Sequence, residues 1–227
     1  MNKEVLSRKI KRAGDEIRRL ERDIIVLQSV DVAEKPENYS TLSMEAAIKG
    51  EYLALKLREL VHSTTNIPKT QLLVDTADNL GILIDYDHNG IVEITIPTLI
   101  PKRKKKPADF ITAPLFAALD SFIVQQQSPP LAAQPFQRFK ECVICITHFY
   151  NKDLLANGRH RDYDNIELKS ILDTINTFLL TDDNGILCDI FNTSIISDMD
   201  FTRITIMPRD VFPEWILRHE IERKLLS

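Results

Sequence analysis

Hydrophobic residues near the start of the chain recur in alternating steps of four and three: Leu6, Ile10, Ala13, Ile17, Leu20, Ile24 and Leu27. That is an a/d seam with a period of about 3.5, and it predicts a long helix with one packed stripe. Pro36, Asn38 and Ser40 mark a connection. A second amphipathic stretch follows, carrying Met44, Ile48, Tyr52, Leu55 and Leu60, with Ser43 expected as its N-cap and Glu45 in its first turn. The two stretches predict a helical hairpin over residues 1–65, with a coiled coil between subunits as the other use of the seam.

Beyond Ser63 the period changes. Gln71–Val74 and Gly81–Asp85 read as strands. Ile91–Ile96 alternates apolar and polar, and Asp87-His88-Asn89-Gly90 before it is a hairpin turn signal. Phe110–Gln127 reads as a helix with Leu115, Ala118, Leu119, Phe122 and Ile123 on its apolar face, and Pro114 belongs in its first turn or at a kink. Phe139–Tyr150 is the strongest strand. After a polar loop, Asn151–Arg161, comes a helix with Leu168, Ile171, Leu172, Ile175 and Leu179 on one face. Strands are expected at Ile186–Ile195 and Thr202–Met207, then a helix at Pro213–Leu226 around the sole tryptophan, Trp215. The expected class is α+β: the hairpin, then a mixed α/β domain over 66–227 with a small sheet and packed helices.

Composition narrows the function. The chain has 227 residues, and 44% hydrophobic residues suffice for a core. The longest apolar runs, such as Cys142–Ile146, are too short to span a bilayer, and Met1-Asn2-Lys3-Glu4 leads into a charged helix instead of an apolar signal. A cytoplasmic protein with no membrane partner is expected. The net charge of −4 argues against gripping DNA by global attraction, so a nucleic-acid contact needs local patches. Two exist: Lys102, Arg103, Lys104, Lys105 and Lys106 between two prolines, and Arg159, His160 and Arg161. Cys142 and Cys145 have CxxC spacing but lie on a strand, where positions three apart face opposite ways; core thiols are expected. Asp85-Tyr86-Asp87-His88-Asn89-Gly90 mimics a calcium-loop opening, but its twelfth position is Ile96, where a bidentate Glu is needed. Glycine-rich phosphate loops, HExxH spacing and nucleophile elbows do not occur.

The carboxylates are more informative. Asp162 and Asp164 lie two apart in chain expected to be extended, so both side chains can point one way. With Asp183 they offer the hard oxygen donors that Mg2+ prefers. The structural alternatives are plain: Asp164 as an N-cap with Glu167 as its capping-box partner, and Asp182-Asp183-Asn184-Gly185 as a turn.

The order of the whole segment weighs against those alternatives. His160-Arg161-Asp162-Tyr163-Asp164-Asn165, a helix carrying Lys169 and Asp173, then Asp182-Asp183 ahead of a strand, resembles the signature of RusA-type Holliday-junction resolvases. Val92-Glu-Ile-Thr-Ile-Pro97 is similar to that family's proline-ended opening strand, so the likeness runs from about Ile91 to Met207. It implies a RusA-like fold and a Mg2+-dependent, structure-selective endonuclease that cuts branched DNA as a homodimer in recombination or repair, often encoded by mobile elements. Asp162, Asp164 and Asp183 would then be the metal-binding catalytic acids and Lys169 the supporting cation, with Lys102–Lys106, Arg159 and Arg161 facing DNA. The pattern departs in its spacing: Lys169 is one residue further from Asn165 than in the family, which on a helix is about 100° of rotation, and one residue fewer before Asp182 restores the total length. The N-terminal hairpin lies outside the likeness and reads as a protein-interaction module. The competing reading is a RusA-like DNA-binding or scaffold protein that has lost catalysis.

Overall fold

The β-branched runs after the hairpin assemble into one five-stranded mixed sheet in the computed structural model, which describes residues 3–31, 34–64, 69–87, 89–101, 109–127, 136–153 and 162–226. The elements in chain order are α1 (Lys3–Ser29), α2 (Pro36–Thr64), α3 (Lys69–Leu80), β1 (Leu83–Tyr86), β2 (Val92–Ile96), α4 (Asp109–Gln127), β3 (Cys142–Asn151), α5 (Lys169–Leu179), β4 (Cys188–Ser197), β5 (Phe201–Met207) and α6 (Phe212–Leu226). This is an α+β protein with a long N-terminal helix. Two compact units make it up, Met1–Leu72 and Leu73–Ser227.

In the first unit α2 folds back along α1. Lys49 pairs with Asp23 at 2.7 Å, and Gly50 faces Leu20 closely enough that a Cβ there would sit 3.8 Å from its methyl. Helix α2 starts at Pro36, not at Ser43. Proline is well suited to a first helical position because its missing N–H would be unsatisfied there anyway. The connection expected over 31–42 is correspondingly short.

In the second unit the sheet order is β1-β2-β5-β3-β4, with every neighbouring pair antiparallel except β3 and β4. Asp87 builds the expected hairpin turn: its carboxylate accepts from the backbone N–H groups of Asn89 and Ile91, and Gly90 takes φ +76°. One sheet face packs Val92, Ile94, Ile96, Ile144, Ile146, Ile204 and Ile206 against α4 and α5 through Leu115, Leu119, Ile171, Ile175 and Leu179. The other face carries a smaller cluster of Val143, Cys145 and Met207 with Phe212 and Trp215 of α6. Cys142 belongs to the first cluster and Cys145 to the second, which bears out the opposite-face reading of the CxxC spacing.

Three further expectations are corrected. Gln71–Val74 is not a strand but part of α3, where four residues were too few to tell the two periods apart. Pro114 is the sixth residue of α4, which rules out the first turn and leaves the kink of its two expected placements. The third concerns the segment before α5 and belongs with the site.

Candidate functional site

Strands β3 and β4 are parallel, so the chain between them must cross over, and α5 is that crossover. Helix α5 ends beside the start of β3: the Phe139 N–H donates to the Leu179 carbonyl, and Phe139 forms a bridge with Leu180. The segment ahead of α5 therefore lies toward the C-terminal ends of the two strands, the end at which open α/β sheets commonly hold ligands.

Asp162 is extended (φ −69°, ψ 134°) and Tyr163–Asn165 is a single 3-10 turn. Helix α5 begins only at Lys169, with Leu168 at its N-cap and no side-chain cap. This overturns two expectations and one of the structural alternatives. Asp164 does not cap the helix. The two aspartates do not share an extended strand, so the same-side argument for them does not apply. Residues between Asn165 and Lys169 are not helical, so the extra spacer residue does not translate into a rotation of Lys169.

Tyr163, which the sequence reading passed over, fixes the turn to the sheet. Its hydroxyl shares a 2.8 Å hydrogen bond with the Ser194 hydroxyl of β4. Its ring stacks on the fully buried His148 of β3 at 5.8 Å and 26°. His148 and Ser194 are register partners, so the tyrosine sits astride the parallel pair. A signal for it was present. Along β3 one face reads Ile144, Ile146, His148 and Tyr150, an apolar row that turns polar at the end where Tyr163 rests. On the same face of β4, the buried Asn192 Oδ1 has no hydrogen-bond partner, and neither has Ser170 Oγ in the first turn of α5.

Asp162, Asp164 and Asp183 are exposed. Among the described residues their carboxylates make no hydrogen bond or ion pair, whereas Asp182 is engaged in the turn through Asn184. Lys169 pairs with Asp173 at 2.6 Å. That hydrogen bond is the main cause holding the Lys169 ammonium above its ordinary pKa, with lesser contributions from Asp183 and Glu167. Asp183 therefore stands within electrostatic reach of Lys169. The donor chemistry of the three aspartates suits Mg2+. Yet among the described residues no three His, Cys, Asp or Glu side chains lie close enough together to hold a metal ion.

The basic residues Lys102–Lys106, Arg159, His160 and Arg161 lie outside the described residues. The approach to the first run is fixed, however. The Pro101 carbonyl accepts from the Glu167 N–H at 2.9 Å, so the chain leaves for 102–106 from beside the aspartate turn. The second run leads directly into Asp162.

Fold and site together define an α+β protein whose crossover between two parallel strands hangs a carboxylate-bearing turn over the sheet. The chain belongs to the family described as a family of unknown function (DUF6100), whose profile matches residues 2–227. No curated protein matches it. Among the described residues no helix is long and apolar enough to cross a membrane.

Proposed function

We propose that this chain is a Mg2+-dependent, structure-selective DNA endonuclease of RusA-like fold, acting on branched DNA as a homodimer in recombination or repair. The observation that carries the proposal is the Asp162-Tyr163-Asp164 turn. Its central residue is committed to the sheet, while its two aspartates are exposed and uncommitted to capping. Mg2+ is typically held by one or two carboxylates, with water and substrate phosphate oxygens completing its shell. When bound, it would supply charge neutralisation at the phosphodiester and a more acidic water.

The chain's own residues have separable tasks. Asp162 and Asp164 offer the carboxylate oxygens. Tyr163 positions them. Lys169, a cation in the first turn of a helix, opposes the helix dipole, and the Lys-before-Asp order of its ion pair is the weaker one. Local stability does not select that placement; neutralising a phosphate beside Asp183 accounts for it. The cations of 102–106 and of Arg159 and Arg161 would hold the DNA backbone without reading sequence.

The test is cleavage of a synthetic four-way junction and a matched duplex with Mg2+ or EDTA, using wild type and Asp164→Asn. Junction-selective, metal-dependent cutting lost in the variant is the expected result. A second reading, a RusA-like binding or scaffold protein without catalysis, is favoured by Lys169, whose ammonium is already paired with Asp173 at 2.6 Å. Tight junction binding without cutting, unchanged in the variant, would decide for it.

A further inference from the structure

Cys142 and Cys188 are the first residues of the two parallel strands, β3 and β4, and they are register partners. Their side chains therefore lie abreast on one sheet face, and both belong to the larger core cluster. Neighbouring strands run about 4.8 Å apart, inside the Cα separation of about 4.4–6.8 Å that a disulfide spans. Both thiols are free, and Cys142 donates a hydrogen bond to the Cys188 sulfur. Core packing accounts for a single buried thiol such as Cys145, which faces the other side of the sheet and is perturbed by burial alone. It does not call for two thiols abreast.

The pair is asymmetric. Strand β4 is the edge of the sheet, with no strand beyond it among the described residues. Cys188 opens that strand just after Ile186, which is 80% exposed, and is itself 7% exposed against 1% for Cys142. The hydrogen bond from Cys142 holds the Cys188 thiol below its usual pKa and holds Cys142 above it. The first proton to leave the pair is therefore that of Cys188, and the thiolate is the form that reacts. A small oxidant meets this sulfur first, at the strand edge. Cys142 lies behind it, within reach of the oxidised atom.

We propose that Cys142 and Cys188 are a peroxide-sensitive thiol pair, in which Cys188 is oxidised first and Cys142 then closes a reversible disulfide across the starts of β3 and β4. The Cys188 thiolate attacks one oxygen of hydrogen peroxide and the O–O bond breaks. The other oxygen leaves as hydroxide and takes up the proton that Cys188 released, so the products are a sulfenic acid and water. The Cys142 thiol then gives up its proton, its sulfur attacks that of Cys188, and the S–O bond breaks to release a second water. The two cysteines together lose two electrons and the peroxide gains them. Side chains abreast at strand spacing start slightly wider than the Cβ separation of about 3.5–4.5 Å in a relaxed disulfide. The bond is thus strained, and thiols reduce it readily. It closes residues 143–187 into a covalent loop that contains α5 and Asp162, Asp164 and Asp183.

The experiment treats the reduced full chain with hydrogen peroxide, then unfolds it and counts thiols by alkylation and intact mass. Wild type should keep one of its three thiols, lose two hydrogens in mass and yield a cross-linked peptide of Cys142 with Cys188. Dithiothreitol should restore all three. Cys145→Ser should form the same disulfide. Cys142→Ser should stop at a Cys188 sulfenic acid that dimedone traps, and Cys188→Ser should keep its remaining thiols unoxidised while folded. Wild type that retains all three thiols overturns the proposal, as does a cross-linked peptide containing Cys145, or sulfinic acid on Cys188 without a cross-link. The wild-type readouts need no variant to fold. They measure mass and thiol content, so their failure is distinct from a failure to cut DNA.

Discussion

Tyr163 is the sharpest test of how the aspartate turn is held. Tyr163→Phe removes only the hydrogen bond to Ser194. At a side chain 40% exposed that costs about 0.5 kcal/mol, or about 1–2 °C in Tm for a chain of this size. Tyr163→Ala also removes the stack on His148, about 1 kcal/mol, and the buried part of the ring, about 1–2 kcal/mol. The total is about 3 kcal/mol, a fall of about 6–12 °C. A domain that starts at 5 kcal/mol or more stays almost wholly folded at 25 °C after that loss. Unfolding therefore cannot explain a large drop in rate: a hundredfold loss by population alone would need the unfolded state favoured by about 2.7 kcal/mol. Misplacing the two carboxylates by about 1 Å can cost about 10²-fold in rate. The expected result in the junction assay is near wild-type kcat for Tyr163→Phe and about a hundredfold loss for Tyr163→Ala, with both variants folded by circular dichroism and thermal melting. If Tyr163→Ala cuts within a few-fold of wild type, or Tyr163→Phe is as damaged as Tyr163→Ala, the positioning role is wrong.

Asp162→Asn and Asp164→Asn should each abolish cutting while moving stability by no more than about 0.5 kcal/mol, because both side chains are exposed and uncommitted; a Tm shift of many degrees would mean they are structural after all. Lys169 is held above its ordinary 10.5 by Asp173, so its contribution to folding is complete below that value and is lost as pH rises through the shifted one. Asp173→Asn should lower the Lys169 titration midpoint read by side-chain NMR, and an unmoved midpoint refutes the pairing. Burial pushes the Cys145 thiol from 9.0 up to about 12. The native state thus holds a proton that the unfolded chain has released, and stability should fall as pH climbs from about 9 toward 12. Cys145→Ala should flatten that alkaline loss in chemical-denaturation curves. Ile175→Ala, at a fully buried position between α5 and the sheet, should cost about 2–5 kcal/mol without changing the residual activity of the folded fraction.

The elements with a strong period were legible in the sequence. Alternation over Ile91–Ile96 and the apolar run over Phe139–Tyr150 became β2 and β3 within a few residues, because β2 buries alternate residues with a period of two, while β3 is buried on both faces and reads as one continuous run. Gln71–Val74 was misread because its four residues carry no period, and α3 declares itself only over twelve. The α1 seam was read as one stripe. The sequence could not show that a hairpin covers only one half of it, because heptad a and d positions look alike until a partner helix is placed.

The site illustrates a different limit. The residue types were legible: paired aspartates, a lysine one helix turn before an aspartate, and basic runs flanking both. Their mutual placement was not, because it depends on two hydrogen bonds between segments far apart in the chain. One runs from Tyr163 to Ser194 and the other from Glu167 to Pro101. Neither leaves a local pattern, yet between them they decide where the turn and Pro101 sit. The assumption of extended chain at Asp162–Asp164 failed for the same reason. A tyrosine pinned to the sheet at one point, with α5 starting six residues later, leaves a short path that a 3-10 turn fills. The exposed aspartates are thus a consequence of anchoring the residue between them. If the protein is a nuclease, its metal ligands are presented by a turn that the sheet holds from beneath, and the strength of that hold, more than the aspartates' own contacts, sets how well they are aimed.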